Sequence, residues 1–311
     1  MAHLWVLLFD VFVLGGLCFV GAVVFLLRYR AQRTGRRSPL ARHLLRSPGE
    51  SLRARIEDTQ WDIAMYLAIG MLPLPLVLGT YFMIWIAGAY APPVSTAAVL
   101  ALFGFVAQGW LATRLWKALS RLRRLRLGHE AQLAIGQELS ELGRAGFRIF
   151  HDFPVKEGTT NIDHVVVGSS GVFLVETKGR AKPGRKGKLE GPWEVKYDGN
   201  ALEFPGWVET EPLEQAARNA EWLQRWLSGA IGQPMSVQPV VALPGWFVRG
   251  SEGAGIPVLA AGQVQGYFSA QPKHPLMSPE LIRQIVVQLD QKSRDVQPRA
   301  ALAGKSQVAL G

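Results

Sequence analysis

The chain has one cysteine, Cys18, among 311 residues. That excludes a disulfide framework and any cysteine-rich zinc site. It has little charge in three long stretches: residues 4–27 carry only Asp10, and residues 63–91 and 94–113 carry none. Residues 128–311 have no charge surplus, with 19 Lys and Arg against 19 acids, whereas residues 1–127 hold 15 against 5. The net charge of +10 therefore belongs to the first part of the chain and is not evidence that the whole protein grips nucleic acid. Residues 184–191 lack the spacing of a phosphate-binding loop, and no Ser/His/Asp or Cys/His arrangement is visible, so no nucleotide or organic cofactor is expected. A hydrophobic content of 49% excludes a disordered chain.

The three uncharged stretches each reach the roughly 20 residues that a membrane-spanning helix needs. They predict an all-α anchor over residues 1–113, with spans at about 4–27, 63–91 and 94–113. Met1-Ala2-His3 has no Lys or Arg and the first apolar run is long, so a retained span is expected rather than a cleaved signal. Pro73 and Pro75 fall inside the second span, where lipid tolerates a kink, and Pro92-Pro93 makes a tight turn before the third. Nine arginines lie between 28 and 55, and Arg114, Lys117, Arg121, Arg123, Arg124 and Arg126 follow the third span. The positive-inside rule then gives a multi-pass protein of the inner or plasma membrane, its N-terminus outside and its C-terminal part cytoplasmic. Membrane lipid is the expected partner of the basic runs; no protein partner is identified.

Residues 114–127 read as a basic juxtamembrane helix and 128–294 as one α/β domain, with a tail at 295–311. Leucines at helical spacing run from 115 to 142, and Gly143 and Gly146 end that helix. Residues 147–152 alternate as a strand. Residues 161–167 and 172–178 are β-branched runs around Gly168-Ser169-Ser170-Gly171, a hairpin signal. Residues 194–197 and 201–204 suggest a second hairpin, Pro212 opens a helix to about 227, residues 237–243 make a strand and 278–292 a closing helix. The expected architecture is one mixed sheet flanked by helices.

If Ser169-Ser170 is the turn, paired residues across the first hairpin set Asp163 opposite Glu176. Strand alternation puts Lys178 on the same face as Glu176. Directly opposed acids repel, so a divalent cation between them is one explanation. Mg²⁺ suits two carboxylates plus water and a phosphate oxygen. It would polarise a phosphoryl group and activate a bound water, with Lys178 orienting that water or stabilising charge. The alternative is a surface ion cluster in which Lys178 neutralises two acids.

Asn161-Ile162-Asp163-His164-Val165-Val166-Val167, followed by Gly171-Val172-Phe173-Leu174-Val175-Glu176-Thr177-Lys178, resembles the NERD (nuclease-related) domain. So do Gly136-Gln137-Glu138-Leu139, Phe150-His151-Asp152, Pro212-Leu213-Glu214-Gln215-Ala216 and Pro244-Gly245-Trp246-Phe247-Val248. That domain is grouped with the PD-(D/E)xK nucleases of restriction-endonuclease-like fold. The resemblance implies a DNA-cleaving hydrolase in which Asp163 and Glu176 ligate Mg²⁺ or Mn²⁺, Lys178 handles the nucleophilic water and Gln215 supports the site. The family's first helix carries Gly-Glu, the Glu being an auxiliary acid, where this chain has Ala131-Gln132. Glu130 lies two residues away, about 200° round a helix, and is not expected to replace it. The resulting alternative is a catalytically weak domain that binds nucleic acid or protein at the membrane; a membrane scaffold is a third reading.

Arg180, Lys182, Arg185, Lys186 and Lys188 form a basic run after the hairpin, read either as phosphate contacts or as a solvated loop. Trp222 and Trp226, four apart, are expected in the core rather than as base-stacking platforms. His151 and His164 are expected as packed strand residues rather than ligands.

Overall fold

The computed structural model describes residues 45–88, 93–155, 161–182, 193–250, 255–271 and 277–294. The expected span at 4–27, the basic residues Arg185, Lys186 and Lys188, and the tail at 295–311 lie outside them. The described chain forms two compact units, one of residues 56–124 and the other of residues 45–55 joined to 125–294.

In the first unit, the stretch expected as one kinked span is two helices, α1 (Glu50–Gly70) and α2 (Pro73–Gly88). The chain breaks at Met71-Leu72 because Pro73 has no N–H to continue α1; it instead opens the next helix, a position that suits its fixed φ. The third helix, α3 (Val94–Glu141), runs without interruption through the expected third span, the basic segment and the first helix of the α/β domain. Among the described residues two helical stretches, Glu50–Ile86 and Val94–Ala145, are long and apolar enough to cross a membrane; they correspond to the expected second and third spans, and the expected first lies outside the described residues. Val94, Phe103 and Phe105 are 85%, 72% and 78% exposed, a distribution suited to lipid rather than water. Gly104 allows close packing of α2 on α3: a Cβ there would lie 2.8 Å from Val77 Cγ2.

The second unit contains two sheets rather than the single one expected. The larger has strand order β1 (Arg148–Phe153), β2 (Ile162–Gly168), β3 (Gly171–Thr177), β7 (Val237–Ala242), β9 (Val258–Leu259). β1, β2 and β3 are antiparallel; β7 and β9 join in parallel. The smaller sheet has order β6 (Trp207–Glu209), β5 (Leu202–Phe204), β4 (Glu194–Tyr197), β8 (Phe247–Gly250). The second hairpin was expected, but its third strand and the parallel β8 carry too few residues to show periodicity.

β2 and β3 are buried on both faces, and their alternation sorts side chains between two cores. Val165, Val167, Val172 and Leu174 pack with Leu213, Ala216, Leu223 and Leu227 of α4 (Glu211–Ile231) and with Ile285 and Leu289 of α6 (Pro279–Arg294). Val166, Phe173 and Val175 pack with Ile135 and Leu139 of α3 and with Val264 and Phe268 of α5 (Val264–Ser269). Each such side chain contributes roughly 1.5–3 kcal/mol by leaving water. Trp222 and Trp226 are partly buried against the first core. At the tight turn, Gly168 leaves room for Phe147, whose Cδ1 would lie 2.4 Å from a Cβ.

Candidate active site

The hairpin pairs Gly168 with Gly171, Val167 with Val172 and His164 with Val175, the register read from the sequence. That register, continued one step past His164 and Val175, puts Asp163 opposite Glu176. Both are buried, 5% and 2% exposed, at the end of an apolar pair of strands. β3 ends at Thr177, and Lys178 follows, its amide bonded to Ala242 O at 2.9 Å. Lys178 Nζ stands 3.3 Å from Glu176 Oε1 and 3.8 Å from the exposed Glu211.

Every carboxylate oxygen has a donor. Asp163 Oδ2 accepts the Thr177 amide at 2.7 Å, and Oδ1 accepts Gln132 Nε2 from α3. Glu176 Oε1 accepts Gln215 Nε2 at 2.7 Å and Oε2 accepts Asn219 Nδ2 at 3.2 Å, both from α4. Gln215 also takes a hydrogen bond on its Oε1 from Lys178 Nζ at 2.6 Å. Pro212 and the first-turn acids Glu211 and Glu214 start α4 beside the end of β3, which brings Gln215 and, one turn on, Asn219 to Glu176.

Burial pushes the Asp163 carboxyl well above the usual carboxylate range, and the neighbouring Glu176 charge pushes it further. Burial also raises Glu176, against the opposing pull of Lys178. When both acids ionise beside the one lysine, a negative charge is left for which a cation is the natural complement. The donor set fits a hard dication: it offers two buried carboxylates and Gln132 Oε1, a buried oxygen with no hydrogen-bond partner. Among the described residues no group of three or more His, Cys, Asp and Glu side chains is placed to hold a metal ion, so any ion would complete its shell with water or substrate oxygens.

The remaining candidates separate. Glu130 makes no described bond to Asp163 or Glu176. Arg180 is held by Glu209 through Nε at 2.9 Å and Nη2 at 2.8 Å, which matches its charge within the domain. Lys182 lies over the Trp193 ring at 5.8 Å. His151 and His164 share a hydrogen bond between their Nδ1 atoms at 2.8 Å. Burial lowers His151 to about 4 and His164 well below its usual value, so both are neutral strand residues.

Sequence reading missed Asn219, whose spacing of four from Gln215 is a usable signal. It also missed Asp152, Arg46 and Ser51, which meet beside the site. Asp152 has φ of +48°, uncommon outside glycine but accessible to Asp. Arg46 Nη1 reaches its Oδ2 at 2.5 Å. No local pattern joins residues more than a hundred positions apart.

Residues 127–244 match the family model of NERD, the nuclease-related domain. This part of the chain is thus a nuclease-related domain, with apolar helices before it. No curated protein and no solved structure gives a match.

Proposed function

We propose that this nuclease-related domain is a metal-dependent phosphodiesterase acting on DNA, anchored in the inner or plasma membrane and facing the cytoplasm. The observation that carries the reading is the buried pair Asp163 and Glu176, served by a single lysine that Gln215 holds in place. Asp163 and Glu176 would hold a Mg²⁺ or Mn²⁺ ion, which supplies Lewis-acid polarisation of the phosphoryl group and a more acidic bound water. Thr177 and Gln132 fix the Asp163 carboxylate from both sides, and Gln215 and Asn219 fix Glu176. Lys178 keeps its ammonium beside Glu176, where it can orient the attacking water and stabilise negative charge on the phosphoryl oxygens. Arg180, Lys182, Arg185, Lys186 and Lys188 are proposed phosphate contacts; the ion pair to Glu209 favours the lysines over Arg180.

The test uses full-length protein in detergent micelles with linear DNA, circular DNA and RNA, in Mg²⁺, Mn²⁺ or EDTA, beside Asp163→Ala and Lys178→Ala. Cutting that needs metal and is lost in both variants supports the nuclease; folded wild type that never cuts overturns it.

A second reading, a tethered binding module, is favoured by one observation: the neutral Gln132, not an acid, bonds Asp163. On that reading nucleic acid or protein binding persists in EDTA and is unaffected by Lys178→Ala.

A further inference from the structure

Residues 46–51, which lead into the first turn of α1, fold onto the nuclease-related domain although they lie far outside residues 127–244. Their two ends are pinned to Asp152. Arg46 Nη1 bonds Oδ2 at 2.5 Å; Ser51 donates its amide to Oδ2 at 3.0 Å and its hydroxyl to Oδ1 at 2.5 Å. Between these anchors, Pro48 sits against Gly136, where a Cβ would lie 2.5 Å from the Pro48 Cγ. Gly49, with φ of +69°, lies over the same helix face: a Cβ there would stand 2.8 Å from His129 Cδ2 and 3.2 Å from Gln132 Oε1.

Both contacts bear on Asp163. Gln132 has one amide group with two unlike ends. Its nitrogen bonds Asp163 Oδ1, and its oxygen, buried and without a hydrogen-bond partner, faces the Gly49 turn. The terminal torsion of a glutamine is soft, so the wall behind the oxygen limits how that amide can turn. Asp152 matters through register. β1 pairs His151 with His164 and Phe153 with Ile162, which brackets Asp152 against Asp163, and the β2–β3 register, continued one step past His164 and Val175, brings Asp163 to Glu176. Three acids thus occupy one row across three strands. The guanidinium of Arg46 and the two Ser51 donors engage the outermost.

We propose that residues 46–51 are a strap that positions the carboxylate site: the Pro48-Gly49 turn sets the Gln132 amide on Asp163, while Arg46 neutralises Asp152 and Ser51 helps hold it beside Asp163. Where it concerns metal affinity, this rests on the nuclease reading. The element acts through Gln132 and Asp152 and touches no reacting atom.

The experiment compares wild type, Gly49→Ala, Gln132→Ala and the double variant as full-length protein in detergent micelles, with two readouts. The first is the side-chain amide resonance of Gln132 in protein labelled with ¹⁵N-glutamine, assigned by its loss in Gln132→Ala. Gly49→Ala is expected to move it upfield as the bond to Asp163 lengthens. The second is Mn²⁺ affinity by electron paramagnetic resonance. Each single variant is expected to bind roughly tenfold more weakly, the range for losing a ligand's supporting contact. The double is expected to be no weaker than the poorer single, because both changes remove one interaction. A fall in melting temperature with the resonance and the Mn²⁺ affinity unmoved makes the turn merely structural and overturns the proposal, as do additive effects. If wild type binds no Mn²⁺, the metal reading fails while the resonance still decides the strap. Should Gly49→Ala not fold, Arg46→Gln loosens the same strap from its other end and is read by the same two measurements.

Discussion

Gln215 donates its amide to Glu176 at 2.7 Å and accepts the ammonium of Lys178 at 2.6 Å, so one side chain fixes the spacing of an acid and an amine. Neither neighbour could hold the other as well: a lysine has four flexible bonds, whereas the half-buried Gln215 is tied at both ends of its amide. Gln215→Leu is therefore expected to leave the fold intact and to lower DNA cleavage roughly 10- to 100-fold, an effect typical of lost positioning around a site. Gln215→Glu should be worse, since it adds a third acid beside Glu176. Cleavage rates of purified variants at saturating Mn²⁺ check both; wild-type rates would remove Gln215 from the site.

Asp163→Asn separates what the acid does for stability from what it does for function. Burial and Glu176 hold the Asp163 carboxyl above its ordinary value, so the native state binds its proton more tightly than the unfolded chain does. Stability then falls as pH rises from about the unfolded carboxylate range upward. In EDTA at pH 7 to 8, Asp163→Asn is expected to melt higher than wild type, and Mn²⁺ should raise the wild type alone. Melting by circular dichroism in both conditions decides it; a lower-melting variant in EDTA would mean that the carboxylate stabilises the metal-free fold.

The histidine pair gives an opposite slope. Burial holds His151 at about 4, below the ordinary value of 6.5. Between those values the unfolded chain takes a proton that the native state refuses, so stability falls as pH drops from 6.5 towards 4. His151 alone accounts for up to roughly 3 kcal/mol across that window, at about 1.36 kcal/mol per unit. The difference in unfolding free energy between wild type and His151→Phe, followed by urea titration from pH 7 to pH 4, should change in that direction. A difference independent of pH would mean that His151 binds its proton equally well in the folded and unfolded chain.

Arg46→Ala should destabilise the α/β unit by about 3–5 kcal/mol, since it leaves the buried Asp152 carboxylate without its ion-pair partner. Adding Asp152→Asn is expected to restore part of that loss. Urea unfolding of the single and double variants measures both. A soluble fragment beginning near Arg121 lacks the whole strap, and is expected to melt below one in which residues 39–55 are retained through a linker.

What the sequence determined was local and periodic. Alternation over residues 162–177, the Gly168-Ser169-Ser170-Gly171 turn and the strand period of two were enough to bring Asp163, Glu176 and Lys178 together, because a hairpin register propagates from its turn. Uncharged stretches marked the apolar helices, since length and composition alone decide whether a helix can cross lipid. The break at Met71-Leu72, the short strands of the smaller sheet and the pinning of Arg46 and Ser51 to Asp152 were decided by tertiary structure. Two- to four-residue strands have too few positions to display a period, and a helix break before Pro73 looks, in sequence, like a kink that lipid would tolerate. The strap is the extreme case. Its contacts join residues separated by 101 and 106 positions, and only the closing of the sheet against α3 puts a buried carboxylate where a distant arginine can reach it.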